Sequence, residues 1–297
     1  MTISDLKILF KNELSELYSK SEIEELFSIF CEHFLELNKV ELRINLEKDL
    51  SETDSQKFSE AISELKTGKP FQQILGETEF YGMKFFVNEH VLIPRPETEE
   101  LLELVIEKIV VSYQLSVDRA NVKNHQLSTT NHQLKILDIG TGSGIIPIVL
   151  KKYFPDAEVS AIDISKDALE IAKRNAQFHK TEINFIQKDY LDDELDEIYD
   201  IIISNPPYIG IEENIEIEES VKGFEPNLAL FSPTSDALIF YRKIAEDCVH
   251  YLADNGMVFL EINQKLGEET LELFIDFSEA ELLKDISGND RMIFVRK

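Results

Sequence analysis

The chain has 297 residues and a mass of 34.2 kDa, with 57 acidic against 30 basic side chains and a formal net charge of −27. Polyanions are held by basic patches, so this balance argues against direct binding of nucleic acid and for a protein or small-molecule substrate. Hydrophobic content of 43% is enough for a globular core in one or two domains, no apolar run approaches the ~20 residues of a membrane helix, and Met1-Thr2-Ile3-Ser4-Asp5 lacks the order of a signal peptide, so a monomeric cytoplasmic protein away from membranes is expected.

Residues 1–70 read as helices. Leu6, Leu9, Phe10, Leu14 and Leu17 recur at helical spacing, as do Ile23, Leu26, Phe27, Phe30 and Phe34. Ser21 with Glu24 three residues later has the form of a capping box. Leu42–Leu46 and Phe58–Leu65 suggest further short helices, which makes 1–70 a small helical domain suited to recognition. His33 reads as a histidine at the edge of that core rather than a ligand. Cys31 and Cys248 lie far apart in apolar helical contexts and read as buried thiols without metal-ligand spacing.

Thr67-Gly68-Lys69-Pro70 breaks the pattern, and 71–95 reads as a β-hairpin linker turning at Gly76 and Gly82. Its last part, Ile93-Pro94-Arg95-Pro96-Glu97-Thr98-Glu99, is stiff and extended and leads into an apolar-periodic helix, Leu101–Val111. Glu97 and Glu99 there suit the positive end of the helix dipole. Residues 113–134 change composition and repeat Asn-His-Gln-Leu at 124–127 and 131–134, which suggests a mobile surface insertion. His125 and His132 have no carboxylate or cysteine set around them, so no metal site is expected.

Lys135–Ile139 is a short apolar strand, followed by Gly140-Thr141-Gly142-Ser143-Gly144 and a helical stretch with Pro147 in its first turn. The G-x-G-x-G spacing differs from the G-x-G-x-x-G of dinucleotide folds and favours a cofactor without a pyrophosphate. A second strand, Ala157–Ile162, ends at Asp163, about 20 positions after the glycines, where a carboxylate suits ribose hydroxyls. After a helix up to Phe178, a third strand, Ile183–Gln187, leads to Asp189 and Tyr190, placed for a polar contact and a ring contact with an adenine. Each acidic residue alone could equally cap a helix or close a turn.

Asp200–Ser204 is an apolar strand ending in Asn205-Pro206-Pro207-Tyr208. An amide or aryl-amine nitrogen is a poor nucleophile because its lone pair is delocalised. A site that methylates one must accept its two N–H bonds and hold it in line with the donor. The Asn205 side-chain oxygen and the Pro206 carbonyl can be those acceptors, pre-aimed by the stiff prolines, and Tyr208 offers a flat face. A long acidic loop containing Glu212, Glu213, Glu216, Glu218 and Glu219 follows and has the length of a lid. Helix Asp236–Leu252, strand Gly256–Ile262, helix Leu266–Phe277 and strands Ala280–Ile286 and Met292–Arg296 complete an α/β alternation.

Glycine run, Asp163, Asp189-Tyr190 and Asn205, in that order at successive strand ends, resemble a class I S-adenosylmethionine-dependent methyltransferase. With Phe80-Tyr81-Gly82, Ile93–Glu99, Glu225-Pro226, Phe240-Tyr241 and Asp290-Arg291, nearly the whole chain is similar to the protein-(glutamine-N5) methyltransferases of peptide chain release factors, the HemK or PrmC proteins. The resemblance implies an N-terminal helical domain (1–70), a hairpin linker (71–95) and a Rossmann-like domain (96–297) with a reversed last strand. It implies S-adenosylmethionine contacts at Gly140, Thr141, Gly142, Ser143, Gly144, Asp163, Asp189, Tyr190 and Asn205. Catalysis falls to Asn205, Pro206 and Tyr208, and the glutamine of a Gly-Gly-Gln loop is held by Asn205–Tyr208 with Arg95 and Glu97. The Pro94–Thr98 stretch favours release factors over one alternative, a ribosomal-protein glutamine, and the lack of any sign of a basic face disfavours the other, a nucleic-acid amino group. Departures are the 113–134 stretch, Ser232-Pro233 where glycines are common, and a shortened Glu261-Ile262-Asn263-Gln264.

Overall fold

A computed structural model describes residues 1–123, 133–209 and 223–297, with the backbone alone over 113–123. Two compact units emerge, one built on Met1–Glu77 and the other on the chain from Thr78 and on Glu225–Lys297. The Asn-His-Gln-Leu repeat up to residue 132, with His125 and His132, lies outside the described residues, as does the acidic loop with its five glutamates.

The first unit is helical: α1 (Ile3–Leu14), α2 (Lys20–Leu35), α3 (Lys39–Ile44), α4 (Glu52–Leu65) and α5 (Phe71–Leu75). Side chains of Thr2, Ser19, Asn38 and Ser51 cap the first four by accepting from backbone N–H groups that the helix leaves orphaned. The capping box of α2 is Ser19 with Glu22, two residues before the expected pair. Both pairs have the right spacing, and the earlier one starts the helix sooner while leaving Ile23, Leu26, Phe27 and Phe30 buried. Phe10, Phe27, Phe30, Phe34 and Phe58 stack edge-to-face or tilted through the core. Leu9 and Leu17, expected on the apolar face, are 38% and 57% exposed. Leu9 flanks the Ile3, Leu6, Phe10, Leu14 stripe, and Leu17 falls beyond the helix end. His33 is half-buried and its Nδ1 lies 2.9 Å from Glu77 Oε1. The start of the expected hairpin linker is instead helix α5, whose Phe71, Ile74 and Leu75 pack on this core, so the boundary falls at residue 77.

The second unit opens with a two-stranded hairpin, β1 (Glu77–Phe80) and β2 (Met83–Phe86). Tyr81 and Gly82 at its turn have φ of 53° and 66°, the left-handed pair that a two-residue turn of right twist requires. Helix α6 (Pro96–Lys123) then runs 12 residues past the expected end at Val111, because no glycine or proline interrupts it.

A seven-stranded sheet follows, in the order β5-β4-β3-β6-β7-β9-β8. It comprises β3 (Lys135–Ile139), β4 (Glu158–Asp163), β5 (Asn184–Gln187), β6 (Tyr199–Ser204), β7 (Leu252–Glu261), β8 (Glu279–Lys284) and β9 (Asp290–Arg296). The first five are parallel, and β9 inserts antiparallel between β7 and β8. Helices α7 (Ile145–Tyr153), α8 (Lys166–His179), α9 (Asn227–Leu230), α10 (Ile239–Tyr251) and α11 (Gly267–Glu272) connect them. Alternate residues of a strand face opposite layers: Ile201 and Ile203 join the core with α6 and α7, while Ile202 joins the core with Tyr241, Ile244 and Cys248 of α10. Both cysteines are buried, which pushes each thiol up to about 12.

Strand β3 pairs with β4 on one side and β6 on the other. It is the point where strand order reverses, and ligands of open α/β sheets bind in the crevice beyond such a point. Register sets Ile139 opposite both Ile162 and Ser204, so Gly140, Asp163 and Asn205 emerge side by side.

Candidate active site

Beyond those strand ends lies a cavity of about 230 Å³. Gly140–Ser143, Asp163, Asp189 and Tyr190 line one end of it, and Arg95, Thr98, Asn205, Pro206 and Pro207 line the other. Leu228, Phe231, Pro233 and Phe240 add an apolar wall from the segment that follows the acidic loop.

The glycine end is organised by backbone. Gly142 has φ +53°, and its N–H donates to Asp163 Oδ2 at 2.8 Å, while Ser165 N–H donates to Asp163 Oδ1 at 2.8 Å. Burial pushes the Asp163 carboxyl above its ordinary value, and these two N–H groups pull it back toward the charged form. Gly144 has φ +79°, and a Cβ built on it would lie 3.0 Å from Ala172 Cβ on α8. Asn175 of α8 closes the back of the cradle. Its Nδ2 donates to the carbonyls of Ser143 and Phe86 at 2.8 and 3.0 Å, and its Oδ1 accepts from Phe86 N–H at 2.7 Å. Asp138, fully buried beneath the loop, is pushed up to about 7 by burial, with the Thr141 hydroxyl pulling it down. Asp189 lines the cavity and also accepts from Leu191 N–H at 3.1 Å, the contact of a turn residue. Tyr190 lines the same end with a ring 5% exposed, packed among core residues.

The other end is built from side chains. Ser204 Oγ donates to the Ile139 carbonyl at 2.8 Å and ties the end of β6 to the end of β3. Asn205 Nδ2 donates to Thr98 Oγ1 at 3.2 Å, and Thr98 Oγ1 donates to Glu261 Oε2 at 2.7 Å. Thr98 sits in the first turn of α6 and Glu261 at the end of β7. The Tyr208 hydroxyl reaches Glu261 Oε1 at 3.4 Å, and its ring packs on the α10 core, so Tyr208 lies outside the cavity lining. Arg95 lines the cavity, and its Nη2 donates to Glu225 Oε1 at 2.5 Å while Glu225 Oε2 accepts from Ile93 N–H at 2.9 Å. Glu97 is outside the lining and acts at longer range on the charges of Tyr208 and Glu261.

Sequence reasoning passed over Glu261 and the role of Thr98. A carboxylate in the apolar run Met257–Ile262 was the available signal, since a buried charge at a strand end needs partners.

Residues 8–76 match the PrmC N-terminal domain and 118–221 the methyltransferase small domain. A release factor glutamine methyltransferase of Flavobacterium psychrophilum is 44% identical over 99% of both chains. One from Streptococcus pneumoniae is 40% identical over 97% of this chain and 96% of its own. The chain belongs to the release factor glutamine methyltransferase family. Among solved structures, the hMettl16 catalytic domain, crystallised with a MAT2A 3′UTR hairpin, is 13% identical with a TM-score of 0.52 and covers 83% of this chain and 81% of that one. At that identity the likeness speaks for the fold. Among the described residues, no helix is long and apolar enough to cross a membrane.

Proposed function

We propose that this protein transfers a methyl group from S-adenosylmethionine to the side-chain nitrogen of a glutamine in peptide chain release factors. One observation carries the reading: a glycine cradle with its carboxylate partner and an Asn-Pro-Pro corner face one another across a single cavity. Family membership narrows the acceptor to a release-factor glutamine, and the resemblance narrows it further to a Gly-Gly-Gln loop.

The cavity fits such a donor. Ideal Cβ atoms at Gly140 and Gly142 would meet nothing within 4 Å, so the loop leaves open space where a ligand can approach the backbone. Asp163 lines the cavity as an acceptor suited to ribose hydroxyls, and the half-buried Asp189 lies one strand farther along. Bound there, S-adenosylmethionine supplies a methyl group on a sulfonium. The chain's own task is to hold the acceptor. Asn205 Oδ1 and the Pro206 carbonyl accept the two N–H bonds of the glutamine amide and turn its nitrogen toward the donor. Alignment of this kind is worth roughly 7–11 kcal/mol of barrier, so an uncharged nitrogen reacts without prior loss of a proton. The amide, cationic as its new C–N bond forms, then loses one N–H proton to solvent and ends neutral. Pro207, Phe231 and Phe240 give this part of the cavity apolar lining.

The test offers labelled methyl donor and purified release factor, with DNA in a parallel reaction. The expected result is a mass gain of one methyl on the Gly-Gly-Gln glutamine and none on DNA. Label on DNA, or none on the glutamine, refutes the proposal.

A further inference from the structure

We propose that Thr98 and Glu261 are positioning residues for this transfer, holding the Asn205 carboxamide by a one-way chain of hydrogen bonds so that its oxygen faces the incoming amide. The inference rests on the reading above that Asn205 Oδ1 is the acceptor for the substrate N–H.

The polarity of the chain follows from counting protons. A threonine hydroxyl has one proton and two lone pairs, an ionised carboxylate only accepts, and an amide group donates through nitrogen and accepts through oxygen. Glu261 is 1% exposed and receives Thr98 Oγ1 on one oxygen at 2.7 Å and the Tyr208 hydroxyl on the other at 3.4 Å. The Arg291 guanidinium adds a favourable charge against the opposing Glu97. While Glu261 is ionised, above its raised value of about 7, the one Thr98 proton is therefore committed to it. What Thr98 has left to offer is a lone pair, and Asn205 Nδ2 donates to it at 3.2 Å.

A flipped Asn205 amide would set its oxygen against the Thr98 oxygen at that distance with no proton between them. The repulsion selects one orientation of two that are nearly identical in shape. It sends Nδ2 back toward α6 and leaves Oδ1 as the polar atom Asn205 can present to a ligand. Among the described residues, this is the one hydrogen bond the Asn205 side chain makes. Thr98 is 2% exposed, so water does not compete for its hydroxyl. The Tyr241 hydroxyl, donating to the Glu261 backbone carbonyl at 3.0 Å, pins the far end of the chain. Three elements, β6, α6 and β7, thus converge to orient one amide.

Thr98→Val keeps the side-chain shape and removes the hydroxyl, and Thr98→Ser restores the hydroxyl. The valine variant is expected to lower kcat on the order of 10–100-fold while the KM for release factor and the affinity for S-adenosylhomocysteine change less than about threefold. The serine variant is expected to recover kcat to within about threefold of the parent protein. Glu261→Gln frees the Thr98 proton to point either way, so the Thr98→Val, Glu261→Gln double variant should be no slower than the slower single one, as for groups acting in one chain. Unchanged kcat in the valine variant, failure of serine to rescue, or losses that multiply would each overturn the proposal. A readout without turnover separates this from failure of the functional reading. The Asn205 side-chain NH₂ resonance should move in Thr98→Val and its exchange with solvent should accelerate, even if release factor proved to be the wrong substrate. An unmoved resonance would overturn the relay alone.

Discussion

The two ends of the cavity are made of different material. At the glycine end, main-chain N–H groups of Gly142 and Ser165 grip one carboxylate, Asp163. At the acceptor end, orientation passes through three side chains, Asn205, Thr98 and Glu261. Backbone cannot be substituted away, so the first end fails mainly when its glycines acquire side chains. A side-chain relay fails when a single hydroxyl or carboxylate is lost. The contrast suits the two tasks proposed above: a large cofactor is held at many points, whereas a small amide meets two acceptors, of which the Asn205 oxygen has to be aimed by its neighbours.

Asn205→Ala should break the contrast most clearly. Methyl transfer is expected to fall on the order of 10²–10³-fold in kcat, as when an aligned polar group is removed from an active site, with cofactor affinity largely preserved. Equal damage to both, measured by kinetics and by calorimetric titration with S-adenosylhomocysteine, would show that the two ends are not separable. Gly144→Val attacks the opposite end. The added side chain meets φ +79° and the Ala172 Cβ at 3.0 Å, so left-handed strain and overpacking together cost about 4 kcal/mol. The expected outcome is a fall in melting temperature of several degrees with weakened cofactor binding, and an unchanged melting curve would contradict the packing.

The smallest effect is a pH dependence of stability. Burial raises the Glu261 carboxyl from 4.5 to about 7 in the fold, with the Thr98 hydroxyl and Arg291 opposing. The folded protein therefore holds this proton more tightly than the unfolded chain does. Its stabilising contribution is complete below about pH 4.5 and is lost as pH rises through about 7. Glu261→Gln, neutral throughout, should flatten the decline of stability across that window by at most on the order of 3 kcal/mol. Denaturant titrations at pH 5 and pH 8 measure it. A decline just as steep in the variant would place the titration elsewhere, with the buried Asp138, also pushed up to about 7, the next carboxyl to replace.

Much of this was legible along the chain because it is local. Apolar runs of strand length, each closed by a glycine, an acidic residue or Asn-Pro-Pro, marked β3, β4, β5 and β6 to within a residue or two. Helical spacing marked the first unit. Local reasoning also set its own limits. Two capping boxes two residues apart could not be ranked without the core that α2 buries, and α5 could not be told from a strand until its Phe71, Ile74 and Leu75 were seen packed on helices. Tyr208 read as a stacking platform from its place beside Pro207, yet its hydroxyl belongs to Glu261 and its ring to the α10 core.

The succession of strands and helices along the chain and the positions of the glycine loop and the Asn-Pro-Pro corner were legible in sequence alone, since each depends on residues within a few positions of one another. Partnership was decided by tertiary structure. Thr98 and Glu261 are 163 positions apart and Asn205 and Thr98 are 107 apart, so no periodicity or motif could pair them. Only closure of α6 over the ends of β6 and β7 brings their polar atoms within reach, in surroundings dry enough for one hydroxyl proton to choose which way an amide points.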